Sequence, residues 1–248
     1  MRIWSILRCT AQAAAVAASA LAALLAFPAP LFAYAHTSGS FTFRSDAPID
    51  AAGADAVAHD IRATLNASPF PVGDEPYALY VANDAWRRRL FFLIAPGAGG
   101  FVVPPLGPRH TFLSGADFPR GRLRAPSGRL LPPPRTLAYF GAHEFAHLLA
   151  AQRVGYLRHV MMPEWVREGI ADYAALGPVR DLATLRRELG DRELGQTEWD
   201  AHGYYVRYRM LVTHFLVEEK WTLDQLLATN LSKAEAQSAM DARLAGGV

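Results

Sequence analysis

The sequence predicts an α+β protein, with a small mixed sheet in its first half and a helical lobe in its second. Short runs typical of strands, separated by Pro and Gly, occur before residue 120. Residues 136–152 are rich in Ala, Leu and Phe and lack Pro, which favours a long helix. We expect one domain over residues 36–248, with a sheet lobe (36–154) that includes this helix and a helical lobe (155–248).

Residues 1–35 are predicted to be a targeting segment, because they are basic and carry a long apolar stretch of Ala, Leu and Val. The small-x-small sequence Ala33-Tyr34-Ala35 predicts cleavage before His36. The protein is then exported, to a periplasm or to the medium. The alternative is an uncleaved leader that anchors the protein in a membrane through residues 9–33.

The charge balance argues against a nucleic-acid partner. The chain has 25 Lys and Arg and 23 Asp and Glu residues. The targeting segment contains two of the basic residues and no acidic one, so the rest of the chain is formally neutral. It also has no long basic run. The single cysteine, Cys9, lies in the leader, so no disulfide is expected in residues 36–248. No oligomeric state follows from these features.

The elements around the central helix follow from residue patterns. In residues 36–48, Phe41 and Phe43 alternate with polar residues, as in a half-buried strand. Apolar residues at fourfold spacing predict a helix over 54–65. Further strands are expected at 77–81, 101–103 and 110–113, giving a sheet of three to five strands, whereas downstream 221–227 should be helical and 234–248 should fray.

A loop rich in Arg, Gly and Pro spans residues 119–134 and ends in three consecutive prolines. Proline cannot lie in a helix interior but fits a first turn, so this triplet marks the start of the central helix. The arginines of the loop are expected to face solvent. Alternatively, the loop forms a cleft wall that attracts acidic substrates through residues such as Arg122 and Arg124.

The central helix carries the sequence His143-Glu144-Phe145-Ala146-His147. Residues four apart lie on one helix face, so His143 and His147 are able to present two imidazoles to one metal ion. This arrangement suits zinc. Glu144 lies about 100° further round the helix, within reach of a water on the metal, and is a general-base candidate. The alternative is a buried helix that carries two histidines by chance.

A catalytic zinc needs a third protein ligand. A third histidine shortly after His147 is excluded, because Ala150 and Arg153 occupy the positions where that arrangement needs Gly and the ligand. Glu168 lies 21 positions after His147, which allows a second helix to return with Glu168 facing the metal. Asp172 is one turn further on the same face and is able to accept the free N–H of a ligand imidazole. An ordinary charged helix face is the alternative.

The two halves together, His-Glu-x-x-His and then Trp-x-x-Glu-Gly-x-Ala-x-Tyr within residues 143–173, resemble the gluzincin zinc metallopeptidases, the group that includes thermolysin and the zinc aminopeptidases. The Gly-x-Met-x-Asn signature of aminopeptidases is replaced by Phe140-Gly141-Ala142, which argues against a classical aminopeptidase. The resemblance implies a zincin-like fold with one catalytic Zn²⁺, ligated by His143, His147 and Glu168, with Glu144 as base and Asp172 as a partner of a ligand.

Hydrolysis of a peptide bond through a tetrahedral oxyanion also calls for a neutral hydrogen-bond donor. The sequence His202-Gly203-Tyr204-Tyr205 is expected to open a long helix that runs to about Lys220, and Tyr205 is our first choice as donor. Its spacing from other apolar residues is also typical of a core position. The other candidates are Tyr204, His202, Tyr156 and His159.

The sequence therefore predicts an exported zinc-dependent peptidase that acts on a peptide or protein. We expect an edge strand at 101–103 or 111–113 to pair with the extended substrate. One alternative is a binding protein that keeps the shape of a metallopeptidase without turnover, although the intact Glu144 argues against it. Another is a zinc hydrolase that cleaves a non-peptide bond.

Overall fold

The computed structural model describes residues 2–125 and 127–246, with side chains from residue 10 onward. It confirms the α+β class, with a five-stranded mixed sheet in the first half and mainly helices in the second. The strands are β1 (Tyr34–Ser38), β2 (Phe41–Ser45), β3 (Tyr77–Val81), β4 (Gly100–Phe101), β5 (His110–Leu113) and the pair β6 (Ala116–Asp117) and β7 (Arg122–Leu123). The helices are α1 (Arg2–Ala26), α2 (Ala51–Asn66), α3 (Ala85–Phe91), α4 (Leu137–Val154), α5 (Tyr156–Met161), α6 (Glu164–Leu176), α7 (Leu182–Leu189), α8 (Gln196–His202), α9 (Val206–Thr213), α10 (Leu223–Ala228) and α11 (Lys233–Gly246).

The main sheet has the strand order β1-β2-β3-β5-β4. Strands β2, β3 and β5 are parallel, and β1 and β4 are antiparallel to their neighbours. The single strand expected over residues 36–48 is a hairpin, with Gly39 in its turn at φ 57. Since β5 lies between β3 and β4, the expectation that residues 111–113 form an edge is wrong, and β4 is the edge strand on that side.

Helix α4 matches the predicted helix closely. Thr136 caps its N-terminus by accepting a hydrogen bond from the backbone N–H of Tyr139, and Gly155 at φ 85 ends it. The helix packs with α2 on one face of the sheet. Gly141 allows this close approach, because a Cβ there would lie 2.5 Å from Cδ1 of Ile61. Helix α4 thereby lies between the sheet and α2 on one side and α6 on the other.

The helical lobe has its own core, in which α6 packs against α9 and reaches α4 through Ala146 and Ala150. A Cβ on Gly169 of α6 would lie 2.7 Å from the carbonyl oxygen of Tyr208, so glycine permits the tight α6–α9 contact. Trp165, buried on α6, donates its indole N–H to the carbonyl of Leu231 at 2.8 Å. This hydrogen bond ties α6 to the segment that leads into α11.

Two predictions for the helical lobe are wrong. A continuous helix from His202 to about Lys220 does not form, because His202 ends α8 and Gly203 adopts φ 91. Helix α9 starts at Val206 and continues into a π-helical turn over His214–Glu218. Residues 234–246 do not fray but belong to α11, which buries Ala236 and Met240. The last two residues of the chain lie outside the described part.

The N-terminal residues form a separate apolar cluster on the other face of the sheet, where Leu25 and Phe32 pack with Tyr80 and Phe112. Strand β1 begins at Tyr34, so the cleavage point expected before His36 falls within this strand. Among the described helices, none combines the length and the apolar character needed to span a bilayer. Export and cleavage stay predictions.

Candidate metal centre

Three side chains of the predicted site converge on one point. The Nε2 atoms of His143 and His147 are 3.2 Å apart, and Oε2 of Glu168 lies 3.6 Å from the first and 3.4 Å from the second. The side chains are only 6%, 8% and 12% exposed. This group is able to hold a metal ion.

The geometry follows from the packing of two helices. His143 and His147 lie one turn apart on α4, and α6 packs directly against it. Glu168 is on the second turn of α6, which carries its carboxylate to both imidazoles. Arg167 donates from Nε to the other oxygen of Glu168, Oε1, at 3.1 Å. Oε2 is left to the histidines.

The charges in this cluster stabilise one another. Burial alone would raise the pKa of Glu168, but the neighbouring His147 and His143 outweigh it and hold that pKa well below its usual range. Burial likewise acts to lower the pKa of His143, and the carboxylates of Glu168, Glu144 and Asp172 reverse the effect and raise it. The ionised carboxylate of Glu168 is thus stabilised by the two imidazoles beside it.

Asp172 is fully buried behind His143. Its Oδ1 accepts a hydrogen bond of 2.7 Å from the hydroxyl of Tyr139 and lies 4.0 Å from Nδ1 of His143. Its Oδ2 is 3.6 Å from a guanidinium nitrogen of Arg209, itself buried. Burial raises the pKa of Asp172, against the opposing effects of Arg209 and His143. The structure therefore places Asp172 beside His143, without a hydrogen bond between them.

Sequence reasoning missed Tyr139 and Arg209. Tyr139 lies four residues before His143 on the same face of α4, so helical spacing was a signal that could have found it. Arg209 lies on α9 and reaches Asp172 only through tertiary packing. No local pattern marks it.

Glu144 is 6% exposed and lines the same cleft as the metal-binding group. Burial raises its pKa, which His143 and His147 partly offset. The edge strand β4 passes directly over it, because a Cβ on Gly100 would lie 2.8 Å from both Cγ and Oε1 of Glu144. A carboxylate of raised pKa beside a metal-binding group is suited to accept and return a proton.

Of the candidate hydrogen-bond donors, Tyr205 lies against the ligand His143. Its ring stacks on the imidazole of His143, with centroids 5.6 Å apart and planes inclined by 14°. Burial, followed by the charges of Glu168 and Glu144, raises the pKa of Tyr205, so its hydroxyl stays protonated. Tyr204 packs edge-on against it at 5.0 Å but is 50% exposed at the rim of the cleft.

The remaining donor candidates are less favourably placed. His159 is buried against His147, with ring centroids 5.6 Å apart, and burial together with the charges of His147 and Arg167 lowers its pKa to about 4. Tyr156 lines the cleft but is largely exposed. His202 is not among the described residues that line the cleft, although its carbonyl accepts a hydrogen bond from Arg209.

The cleft above the metal-binding group has a volume of about 890 Å³. Residues 99–103, which include β4, form one wall, and Trp199, Tyr204 and Tyr205 contribute to another. Part of the loop between β7 and α4 completes it, through Arg129, Leu131 and Arg135 among others. The cleft is large enough for several residues of an extended peptide.

Comparison with known proteins gives no further guide to function. No protein-family model matches the chain, and no significant match is found among curated proteins or solved structures. The function has to be inferred from the geometry and chemistry of the site itself.

Proposed function

We propose that this protein is an exported, zinc-dependent peptidase with a zincin-like fold. The observation that carries the proposal is the triangle formed by the ligand atoms of His143, His147 and Glu168. Zinc in tetrahedral coordination, with bonds of about 2.0–2.1 Å, needs ligand atoms separated by about 3.3 Å. The separations in this chain are 3.2, 3.4 and 3.6 Å.

The donor set also favours zinc. Two imidazoles and one carboxylate are typical of catalytic zinc sites, which leave the fourth position open, whereas Ca²⁺ and Mg²⁺ prefer oxygen ligands alone. Nε2 of His143 and of His147 faces the shared point, which leaves both nitrogens available to one ion. All three ligand residues line the cleft, so substrate has access to the open position.

The side chains around this group have the chemistry that amide hydrolysis requires. A bound zinc ion would supply Lewis acidity, which activates water and polarises a carbonyl. Glu144 would accept a proton from water and pass it to the leaving amine. The hydroxyl of Tyr205 would donate a hydrogen bond to the carbonyl oxygen as negative charge develops on it. Asp172 would hold His143 in orientation.

A peptide substrate is favoured by the position of the edge strand. Among the described strands, β4 pairs only with β5, so its other edge offers backbone hydrogen-bonding groups on the wall of the cleft. An extended peptide is able to pair with such an edge. Gly100 has no side chain to separate that peptide from Glu144. The alternatives remain a catalytically silent binding protein and a zinc hydrolase that acts on a non-peptide bond.

Metal analysis and an activity assay test the proposal together. We expect one zinc ion per chain and cleavage of a mixed peptide library that stops with a chelator and returns with zinc. Glu144→Gln should retain zinc and lose roughly 100-fold or more in kcat. Glu188→Gln, on the exposed face of α7, makes the same chemical change outside the cleft and should be fully active.

Other results would favour one of the two alternative functions or contradict the role of Glu144. Zinc binding without cleavage of any peptide or ester would favour the silent binding protein. Cleavage of esters but not peptides would favour the non-peptide hydrolase. Wild-type peptide cleavage by Glu144→Gln would show that the assignment of the base is wrong.

A further inference from the structure

Arg135 lies at the end of the cleft where α4 begins. It directly precedes the cap residue Thr136, and its side chain is 15% exposed and stands over the ring of Phe140, 5.5 Å from the centroid. Its Nε is buried without a hydrogen-bond partner, and its guanidinium makes no hydrogen bond to any described residue. The buried Nε is costly without an acceptor, whereas the two terminal nitrogens are not among the buried unpaired atoms and are open to an acceptor in the cleft.

The nearest carboxylate, Asp200, does not supply that acceptor. It lies 3.9 Å from Arg135, beyond hydrogen-bond distance. Arg129 already binds it through two nitrogens, at 3.0 and 3.4 Å, and Gln196 donates to it at 2.7 Å. One carboxylate therefore faces two guanidinium groups, and this corner of the cleft keeps a positive charge.

The other acidic groups near Arg135 are engaged elsewhere. Asp172 is paired with Tyr139 and Arg209, and Glu168 lies against the two histidines of the metal-binding group. Arg135 still acts on this network. Burial raises the pKa of Tyr139, and the positive charge of Arg135 partly opposes that rise. Arg135 is therefore close to the site of the proposed chemistry and has no anion of its own.

The neighbouring arginines of the same loop differ from Arg135. Arg120 and Arg124 both pair with Asp117, at 2.9 and 3.3 Å, and neither of them lines the cleft. Arg122 does not line it either. The expectation that Arg122 and Arg124 form a cleft wall is therefore not supported. Arg129 and Arg135 are the arginines that this loop contributes to the cleft, and Arg167 of α6, which donates to Glu168, also lines it.

We propose that Arg135 determines specificity by binding a carboxylate of the substrate, either an acidic side chain or the C-terminal carboxylate of a peptide. This inference rests on the proposed peptidase function. The planar guanidinium matches a carboxylate in a two-point hydrogen bond, and the low exposure of the site strengthens it. Arg129 adds positive charge to this corner of the cleft, and Asp200 competes with the substrate carboxylate for Arg135.

Four peptides of one sequence test this, with Glu or Gln at one position and a free or amidated C-terminus. The readout is the ratio of kcat/KM for acidic and neutral members within one protein preparation, so a misfolded fraction cancels. We expect wild type to prefer one carboxylate by roughly tenfold or more. Arg135→Gln should abolish the preference, and Arg124→Gln, the matched control from the same loop, should keep it. Asp200→Asn should strengthen it.

If the preference depends on Glu rather than Gln, Arg135 binds an acidic side chain. If it is lost on amidation, Arg135 binds the C-terminal carboxylate. Equal rates for all four peptides in wild type, or an unchanged preference in Arg135→Gln, would overturn the inference while the peptidase function stands. If wild type cleaves none of them, fluorescein-labelled copies are titrated against Glu144→Gln. Tighter binding of the carboxylate form, lost on adding Arg135→Gln, would then support the carboxylate site alone, and equal binding would overturn it.

Discussion

The imidazole of His143 and the phenol ring of Tyr205 lie nearly parallel, with their centroids 5.6 Å apart. This stack joins the start of α9 to the metal-binding face of α4, since Tyr205 is the cap residue of α9. The ring of Tyr205 thus supports a ligand while its hydroxyl is available for a second purpose. Mutations that remove only the hydroxyl separate the two contributions.

Tyr205→Phe should keep the stack on His143 and lose the hydroxyl. We expect unchanged zinc content and a fall in kcat of roughly 100-fold, because the donor to the developing oxyanion is lost. Tyr204→Phe removes a hydroxyl from the exposed neighbouring ring and should change kcat less than about threefold. Steady-state kinetics on one peptide measure both. The reverse order of effects would assign the donor to Tyr204.

Gly100→Ala should impair catalysis without a loss of metal. The new Cβ would lie 2.8 Å from Cγ and Oε1 of Glu144, so the carboxylate has to move from its position. We expect a fall in kcat/KM of roughly tenfold or more, as for other small displacements of a catalytic group. Gly73→Ala is the control, because a Cβ there meets nothing within 4 Å. Equal activity of the two variants would refute the contact.

Tyr139→Phe should weaken metal binding. It removes the 2.7 Å hydrogen bond to Asp172 and leaves a buried carboxylate oxygen without its donor. We expect a loss of about 1–3 kcal/mol in the free energy of unfolding and roughly tenfold lower zinc affinity. Tyr80→Phe is the matched control, since Tyr80 packs in the apolar cluster on the other face of the sheet, away from the metal-binding group. Zinc titration with a competing chelator measures the effect, and identical affinities would contradict it.

His214 should make stability depend on pH. Burial lowers its pKa from the ordinary 6.5, against the opposing effects of Glu219 and Glu218. Above pH 6.5 the folded and unfolded states are both neutral at this position, so the full stability is present. As the pH falls below 6.5, the unfolded chain binds the proton first, and stability is lost until the pH passes the folded-state pKa.

Urea unfolding of wild type and His214→Gln between about pH 8 and about pH 5 isolates this contribution. The difference between the two pH profiles is informative even if the substitution itself lowers stability, because the other histidines are common to both proteins. Wild type should lose more stability on acidification than the variant. Parallel profiles would show that His214 is not responsible.

The parts of the fold that were predicted correctly depend on local signals. The start of α4 follows from the triple proline, and its length follows from the run of Ala, Leu and Phe without Pro over residues 136–152. The position of Glu168 on a second helix follows from the chain length needed for a turn. The helix expected from His202 failed because Gly203 takes a positive φ, a choice that the apolar spacing around it does not reveal.

Other features depend on contacts between distant segments and leave no local pattern. Strand β5 is internal only because β4, which precedes it in sequence, crosses to its far side. Helix α11 is ordered by the burial of Ala236 and Met240 in the helical lobe. Arg135 differs from Arg124 because Asp117 pairs with one and not with the other. Composition of the loop alone does not distinguish these two arginines.

The ligands of the metal-binding group are attached to two helices that pack directly against each other. His143 and His147 are carried by α4, which lies against the sheet, whereas Glu168 belongs to α6, whose Trp165 and Ile170 are embedded in the helical lobe. An ion bound to all three would add a second link between α4 and α6, beside the packing of Ala146 and Ala150 into the helical lobe. Metal binding and the α4–α6 contact would therefore stabilise each other, so a substitution that loosens this contact should release the ion more easily.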